Sequence, residues 1–394
     1  MFGFTVLDVV LGLWLLGQLV YGLRVGLLAS LGGIAGFAAG AVAAFFAAPF
    51  VSSMAGDGGW RTVLVIGATL ALIAVGHGLG MRFGTLLGRA ANIGPLRLVN
   101  RLLGGALNLI VGALVLSVLA FGVGNLGIPF VSAALSQSQV IRSIDKYTPD
   151  GVKSGAAQLR ALVFDAGIPQ ILNPQNVLPQ VAPPDSSVDI PALAAASSSV
   201  LKITGTAFQC GQNQTGSGFV VAPDRVVTNA HVVAGVSSPV VELPGGGSAA
   251  GRVVFFDPQK DLAVVAVDGL GVAPLPLGPA LVAGNSAAFA GYPLGGPFQL
   301  RPAAVASEGP LMVPDIYGTN PVVAQVYQLA GNVQQGNSGG PLLDTAGQVV
   351  GVVFAKATST ANVGFAFTMD ELGPVASVAP SLSEPVSSGH CTSH

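Results

Sequence analysis

The chain has 394 residues, enough for two or three domains, with 51% hydrophobic and only 9% charged residues. Soluble domains carry about 25% charge, so the polar deficit, concentrated in the first third, points to a membrane. A net charge of −2 with no cluster of Lys or Arg argues against a nucleic-acid-binding face.

Four apolar runs, at roughly residues 3 to 23, 26 to 50, 61 to 80 and 102 to 124, each approach the ~20 residues of a spanning helix. The first does not read as a cleaved leader. It is long, holds Asp8 near its start, and is followed by three more spans rather than a small-residue cleavage site. The second run places Gly32, Gly36 and Gly40 four apart, a ridge on which a second helix backbone can lie close; an Ala/Gly-rich span also shows such spacing by chance. Asp8 and His77 lie within or beside spans, where charge is costly and often functional. Both also fit interfacial positions, and neither is assigned a role.

Arginines orient the spans. The loop between the third and fourth carries Arg82, Arg89, Arg97 and Arg101, and the first inter-helix loop carries Arg24. The second loop has Arg61 balanced by Asp57. Positive-inside bias puts the first and third loops in the cytoplasm, so both termini, and everything after residue 125, are expected outside it.

Residues 136 to 166 are polar with partial helical spacing and predict one or two short amphipathic helices. Residues 168 to 191 hold Pro169, Pro174, Pro179, Pro183, Pro184 and Pro191 and read as an extended, semi-rigid linker. From about residue 198, valine-rich runs of four to seven residues alternate with Gly, Pro, Asn and Asp, among them "SVLKITG", "GSGFVVA", "DRVVTNA", "GRVVFFD", "DLAVVAV" and "GQVVGVVFA". This spacing predicts an all-β sandwich or barrel. The expected division is a membrane domain over 1–125, a polar, Pro-rich linker over 126–191, a β domain over 192–382 and a tail over 383–394.

One stretch of the β domain, "VQQGNSGGPLLDTAGQVVGVVFA", carries a serine between glycine turns. Taken alone, Gly-Asn, Ser-Gly and Gly-Gly are ordinary turn dipeptides. His231 in "VVTNAHVVAG" is the only one of four histidines inside the β domain, since His77 lies in the membrane region and His390 and His394 at the end. Asp261 opens the strand "DLAVVAV"; Asp257, followed by Pro, fits a turn better. His231, Asp261 and Ser338 in that order supply what acyl transfer needs. A serine hydroxyl is a weak nucleophile until a base removes its proton, the base needs a carboxylate to fix its tautomer, and the tetrahedral oxyanion needs N–H donors, which a Gly-X-Ser turn offers.

"TNAHVV", "DLAVV" and "GNSGGPLLD…GQVVGV" together resemble the trypsin-like serine proteases of the HtrA/Deg type over roughly residues 198 to 375. The resemblance implies a chymotrypsin-like double β-barrel, with His231 as general base, Asp261 as orienting carboxylate and Ser338 as nucleophile. It implies an oxyanion hole from the amides of Gly336 and Ser338, with Asn337 as a possible contributor. The four-helix part resembles the colicin V production (CvpA) family. The fusion of the two is similar to the MarP family of mycobacterial acid-resistance periplasmic proteases.

Departures from the wider family qualify this. Asn337 replaces the Asp that receives a new N-terminus in digestive trypsins, so that activation is not expected. Only a short tail follows Met369, so control by a following PDZ domain is not expected. Asn332 stands where trypsins hold the acid that selects Lys or Arg, so no strong preference for basic side chains is expected. Cys210 and Cys391 are an even pair in an exported domain, which favours a disulfide over two free thiols.

The expected protein is a membrane-anchored periplasmic serine endopeptidase acting on proteins or peptides of the cell envelope, in envelope or acid-stress protection. Its expected partners are those substrates and the lipid bilayer of the inner membrane, with no nucleic acid, cofactor or metal. The alternatives are an inactive protease-fold binding module, which an intact triad disfavours, and a channel or transporter, for which the spans lack paired charges or broken helices.

Overall fold

The computed structural model describes residues 5–54, 60–91, 95–124, 126–163, 170–171, 188–243, 246–357 and 362–392. Its contacts divide the chain into two units, Met1–Ser117 and Val118–His394.

The first unit is built on four helices, α1 (Val6–Val25), α2 (Leu27–Met54), α3 (Trp60–Ala91) and α4 (Leu96–Gly124), each long and apolar enough to cross a membrane. Their side-chain distribution is inverted relative to a soluble bundle. Phe45, Phe46 and Trp60 are about three-quarters exposed, while the buried residues of α2 are Ala29, Ser30, Gly33, Gly40 and Ala44. Large apolar groups face outward and small ones face the neighbouring helix, as lipid solvation favours. The expected glycine ridge is real. Gly32, Gly36 and Gly40 of α2 lie against Gly76, Gly80 and Gly84 of α3 so closely that a Cβ on any of them would strike the opposite backbone. Asp8 closes a capping box: its carboxylate accepts from the Thr5 N–H at 2.9 Å and hydroxyl at 2.8 Å. The Nδ1 of His77 lies 3.0 Å from the Gly33 carbonyl and so carries the proton it donates. The arginines expected in loops sit on helix: Arg24 in the last turn of α1, Arg82 and Arg89 on α3, Arg97 and Arg101 on α4. Helices outlast the apolar runs because arginine is a good helix former.

Three short helices precede the sheets of the second unit, α5 (Pro129–Gln137), α6 (Gln139–Tyr147) and α7 (Asp150–Val163); the last two fall in the stretch where one or two were expected. They pack with the β domain instead of bridging to it freely. The Thr206 hydroxyl donates to the Leu126 carbonyl, Ser248 Oγ to Ser136 Oγ at 3.1 Å, and the buried Ala157 of α7 lies against Gly296. Most of the proline-rich stretch lies outside the described residues; within it, β1 (Gln170–Ile171) adds a parallel strand beside Lys356 and Ala357.

After α8 (Pro191–Ala196) the chain forms two curled sheets. The first contains β2 (Val200–Ala207), β3 (Gln212–Ala222), β4 (Arg225–Thr228), β5 (Val240–Glu242), β6 (Ser248–Ala250), β7 (Arg252–Asp257) and β8 (Leu262–Ala266), with helix α9 (Ala230–Val233) after β4. Its strand order is β6-β5-β2-β3-β4-β8-β7. The second contains β9 (Ser286–Gly291), β10 (Gln299–Val313), β11 (Val322–Ala330), β12 (Pro341–Leu343), β13 (Val349–Ala357) and β14 (Val363–Phe367), in the order β13-β12-β9-β10-β11-β14, and closes through β13–β14. Helix α10 (Met369–Val378) follows. Phe219, Val227 and Leu262 of the first barrel share one core with Phe354, Phe365 and Phe367 of the second. That shared core fixes how the barrels meet, and the loops at their junction carry the site.

Candidate active site

His231 and Asp261 come from the first barrel. Strand β4 runs through Asn229 into α9, so His231 follows directly from a buried strand and is 7% exposed. Asp261 ends the turn between β7 and β8 with φ at +48°, a left-handed conformation that Asp tolerates better than most side chains. Its carboxylate, 4% exposed, takes both donors of the histidine: the backbone N–H at 2.9 Å and Nδ1 at 2.7 Å. This fixes the ring proton on Nδ1 and leaves the lone pair on Nε2. Asn229 holds the turn from the other side, donating from Nδ2 to the Asp261 carbonyl at 2.7 Å. Asp257 belongs to the turn, accepting from the Gln259 and Lys260 amides at 2.9 and 3.0 Å. Beside Asp261, the Lys260 ammonium bonds Glu371 at 2.9 Å, and that hydrogen bond raises its pKa.

Ser338 comes from the second barrel, in the turn between β11 and β12, and is 2% exposed. Its hydroxyl lies 3.4 Å from the Phe354 carbonyl of β13, and among the described residues it makes no hydrogen bond to His231. Nucleophile–base hydrogen bonds are often long or absent without substrate and tighten only when it binds.

The surrounding amides sort cleanly. The N–H of Asn337 donates to the Gln334 carbonyl at 3.0 Å and that of Gly339 to Val353 at 2.8 Å. Those of Gly336 and Ser338 have no acceptor among the described residues. Asn337, expected as a possible third donor, is thus committed to the turn itself. Gly336 and Gly339 have φ of +89° and +81°, and a Cβ there would strike the carbonyls of Tyr292 and Ser217 respectively. A plain hairpin would need only the φ; this turn needs the space as well. Leu294, itself left-handed at φ +57°, donates its N–H to the Gln335 carbonyl at 2.6 Å and so sets the plane of the peptide that carries the Gly336 N–H. Tyr292, whose phenol is pushed up by burial, donates to the Val200 carbonyl at 3.1 Å. Asn332 is exposed.

The sequence did not single out Asn229, Tyr292 or Leu294. Asn229 carried a signal, an amide side chain directly before a helix whose N-cap bond it does not make; Leu294 carried none beyond its place in "YPLGG".

Residues 216–352 match the trypsin-like peptidase domain, and residues 7–149 match colicin V production protein. The serine protease Rv3671c of Mycobacterium tuberculosis is 38% identical over 307 residues, covering 76% of each chain. The chain belongs to the serine protease family of Rv3671c. The crystal structure of the active form of that protease superposes with a TM-score of 0.53, covering 58% of this chain and 100% of that one. A probable periplasmic serine endoprotease, DegP-like, of Pseudomonas putida is 30% identical over 161 residues, 39% of this chain and 32% of that protein. Membership makes this chain a serine protease with a chymotrypsin-like domain after a multi-pass membrane domain. The disulfide is also present: Cys210 and Cys391 are bonded across 181 residues of sequence.

Proposed function

We propose that this protein is a membrane-anchored endopeptidase that cleaves proteins of the cell envelope outside the cytoplasm, with His231, Asp261 and Ser338 as its triad. The observation that carries the reading is the pairing of His231 with Asp261 at 2.7 Å, together with the two unspent amides that flank Ser338. Ser338 Oγ attacks the scissile carbonyl while His231 Nε2 takes its proton. The carbonyl oxygen, now negative, receives the Gly336 and Ser338 N–H groups. The intermediate collapses, His231 returns the proton to the leaving amine, and the acyl group stays on Ser338 until water, activated by the same histidine, releases it. Asp261 stabilises the imidazolium through both steps.

Arginine placement supports the location. Arg24, Arg82, Arg89, Arg97 and Arg101 cluster at the ends of helices on one side of the expected spans, which fits the cytoplasmic side of the inner membrane. The protease domain then faces the periplasm. Kinship with the MarP family supports a role in surviving acid stress, and the exposed Asn332 supports cleavage without strong selection for basic side chains.

Full-length protein treated with a fluorophosphonate probe should be labelled at Ser338, and His231→Ala should abolish labelling. An unlabelled wild type would sink the reading. A phosphatase fused after residue 394 should be active outside the cytoplasm; activity of a cytoplasm-only reporter at that position would reverse the topology.

A further inference from the structure

Ser217 of β3 touches the catalytic segments of both barrels, and neither the triad nor the oxyanion hole accounts for it. It sits in "GSGFVV", on a strand of the first barrel, and is 0% exposed. All three of its polar groups are used, in four hydrogen bonds. Its hydroxyl donates to the Gly336 carbonyl at 2.6 Å and accepts the Tyr292 N–H at 2.9 Å. Its amide donates to the Ser338 carbonyl at 2.8 Å. Its own carbonyl accepts the Thr228 hydroxyl at 2.7 Å, three residues before His231. Gly291 leaves the room this requires, since a Cβ there would come within 2.6 Å of Ser217 Oγ.

We infer that Ser217 is a positioning residue for the oxyanion hole, acting through the carbonyls of Gly336 and Ser338. The inference rests on the proposed triad reading. Gly336 and Ser338 are the two residues whose amides are unspent, and Ser217 binds the carbonyl of each. The peptide between Gly336 and Asn337 is therefore held at both ends, by Ser217 at the oxygen and by Gln334 at the nitrogen. A glycine at φ +89° has wide conformational freedom: Leu294 holds the peptide before Gly336 and Ser217 the one after it, so loss of the Ser217 bond frees the second peptide and, by pivoting at Gly336, loosens the aim of its N–H. The side-chain bond is the removable part of this arrangement. Because the hole acts on charge that develops only in the transition state, loosening it lowers kcat while substrate binding is kept.

The test uses full-length protein in detergent micelles, as wild type, Ser217→Ala and Ser217→Cys, with fluorescein-labelled casein over a range of concentrations, fluorophosphonate labelling, and melting temperature. Ser217→Ala should lower kcat by about 10- to 100-fold, somewhat less than deletion of an oxyanion donor. Its KM should stay within about two-fold and fluorophosphonate labelling of Ser338 should slow in parallel. Ser217→Cys keeps a weak donor of similar shape and should recover part of the lost kcat. Three results overturn the assignment: an unchanged kcat in Ser217→Ala, a loss carried by KM, or melting of both variants so far below wild type that activity falls with folded fraction. Wild type that is not labelled at Ser338 would bring down the triad reading and this assignment with it, whereas labelled wild type beside a fully active Ser217→Ala would bring down this assignment alone.

Discussion

The two barrels solve the same problem, an exposed sheet edge, in different ways. The second closes on its own backbone: β13 pairs with β14 through Val352–Phe367 and Val353–Ala366, so the turn that carries Ser338 springs from a closed ring of strands. The first ends in β6 and β7, which are not paired with each other among the described residues. Its cover is the C-terminal tail. Leu382 accepts from Arg225 at 2.6 Å, the Val386 N–H bonds the Val253 carbonyl at 2.8 Å, and the Gly235 N–H bonds Ser388 at 3.0 Å. Cys391 then joins Cys210. The barrel that carries His231 and Asp261 thus depends on residues far along the chain, whereas the barrel that carries Ser338 depends on its neighbours. A ladder is local and cooperative; a tail can be released.

The proposed triad draws on both barrels, so the largest effects should ignore this difference. Ser338→Ala and His231→Ala should each cost on the order of 10⁶-fold in casein turnover, and Asp261→Ala less, about 10⁴-fold. Equal turnover by Ser338→Ala and wild type would remove the serine from the mechanism. The junction comes next. Gly339 has no room for a side chain between the Ser217 carbonyl and Thr228, so Gly339→Ala should move the serine turn off the first barrel. A displacement of about 1 Å there costs on the order of 100-fold in kcat. Retention of full activity would show that the turn tolerates more drift than its packing implies.

The tail separates the barrels. Cross-linking over 181 residues is worth roughly 5 kcal/mol in the chain-entropy account, and bridges often deliver less. Reduction, or Cys391→Ser, should lower the melting temperature and turnover together. Hydrogen exchange should locate the loss: β7 amides should lose protection while those of β13 and β14 keep theirs. Uniform loss in both barrels would mean that the disulfide supports the whole unit rather than the open sheet.

The sequence was most informative where side chains repeat and least where backbone geometry decides. The valine-rich runs became β2, β3, β4, β7, β8 and β13, and each of them buries valine in the core. Strand β10 escaped because Pro302, Gly309 and Pro310 read as turn signals. The structure accommodates them by pairing the first part of β10 only with β9 and the later part only with β11, so each proline lies where one edge is free. The short β5 and β6 carry too few residues to show a period. His231, Asp261 and Ser338 were readable because chemistry restricts the residue types, and the structure brings the first two together. The commitment of Asn337 to Gln334, the left-handed Leu294 and the anchoring by Ser217 were not, since each is a matter of which peptide faces which. The docking of the tail was not legible for the same reason: Ser, Gly and Pro say nothing about where their backbone bonds go.

The smallest effect tests where the closed barrel props up the open one. In the loop between β10 and β11, Asp315 accepts from the Thr319 N–H at 2.7 Å, the Thr319 hydroxyl at 2.9 Å and the Tyr317 N–H at 3.2 Å. That loop reaches the first barrel twice: the Ile316 N–H bonds the Pro258 carbonyl at 3.1 Å, in the turn that carries Asp261, and the Tyr317 hydroxyl accepts the His390 N–H of the tail at 3.1 Å. Burial alone would raise the Asp315 carboxyl, but the Thr319 amide and hydroxyl, with Asn320, hold it below the ordinary carboxylate value. A carboxyl depressed in the folded state adds stability that is fully present above its unfolded pKa, about 3.9, and is lost as pH falls through the folded value. Asp315→Asn should therefore cost about 1 kcal/mol near neutral pH, and the gap to wild type should narrow below about pH 4. Melting curves from pH 3 to 7 would show it. A gap that stays constant into acid would mean that the loop's rigidity comes from its backbone turns and not from the carboxylate.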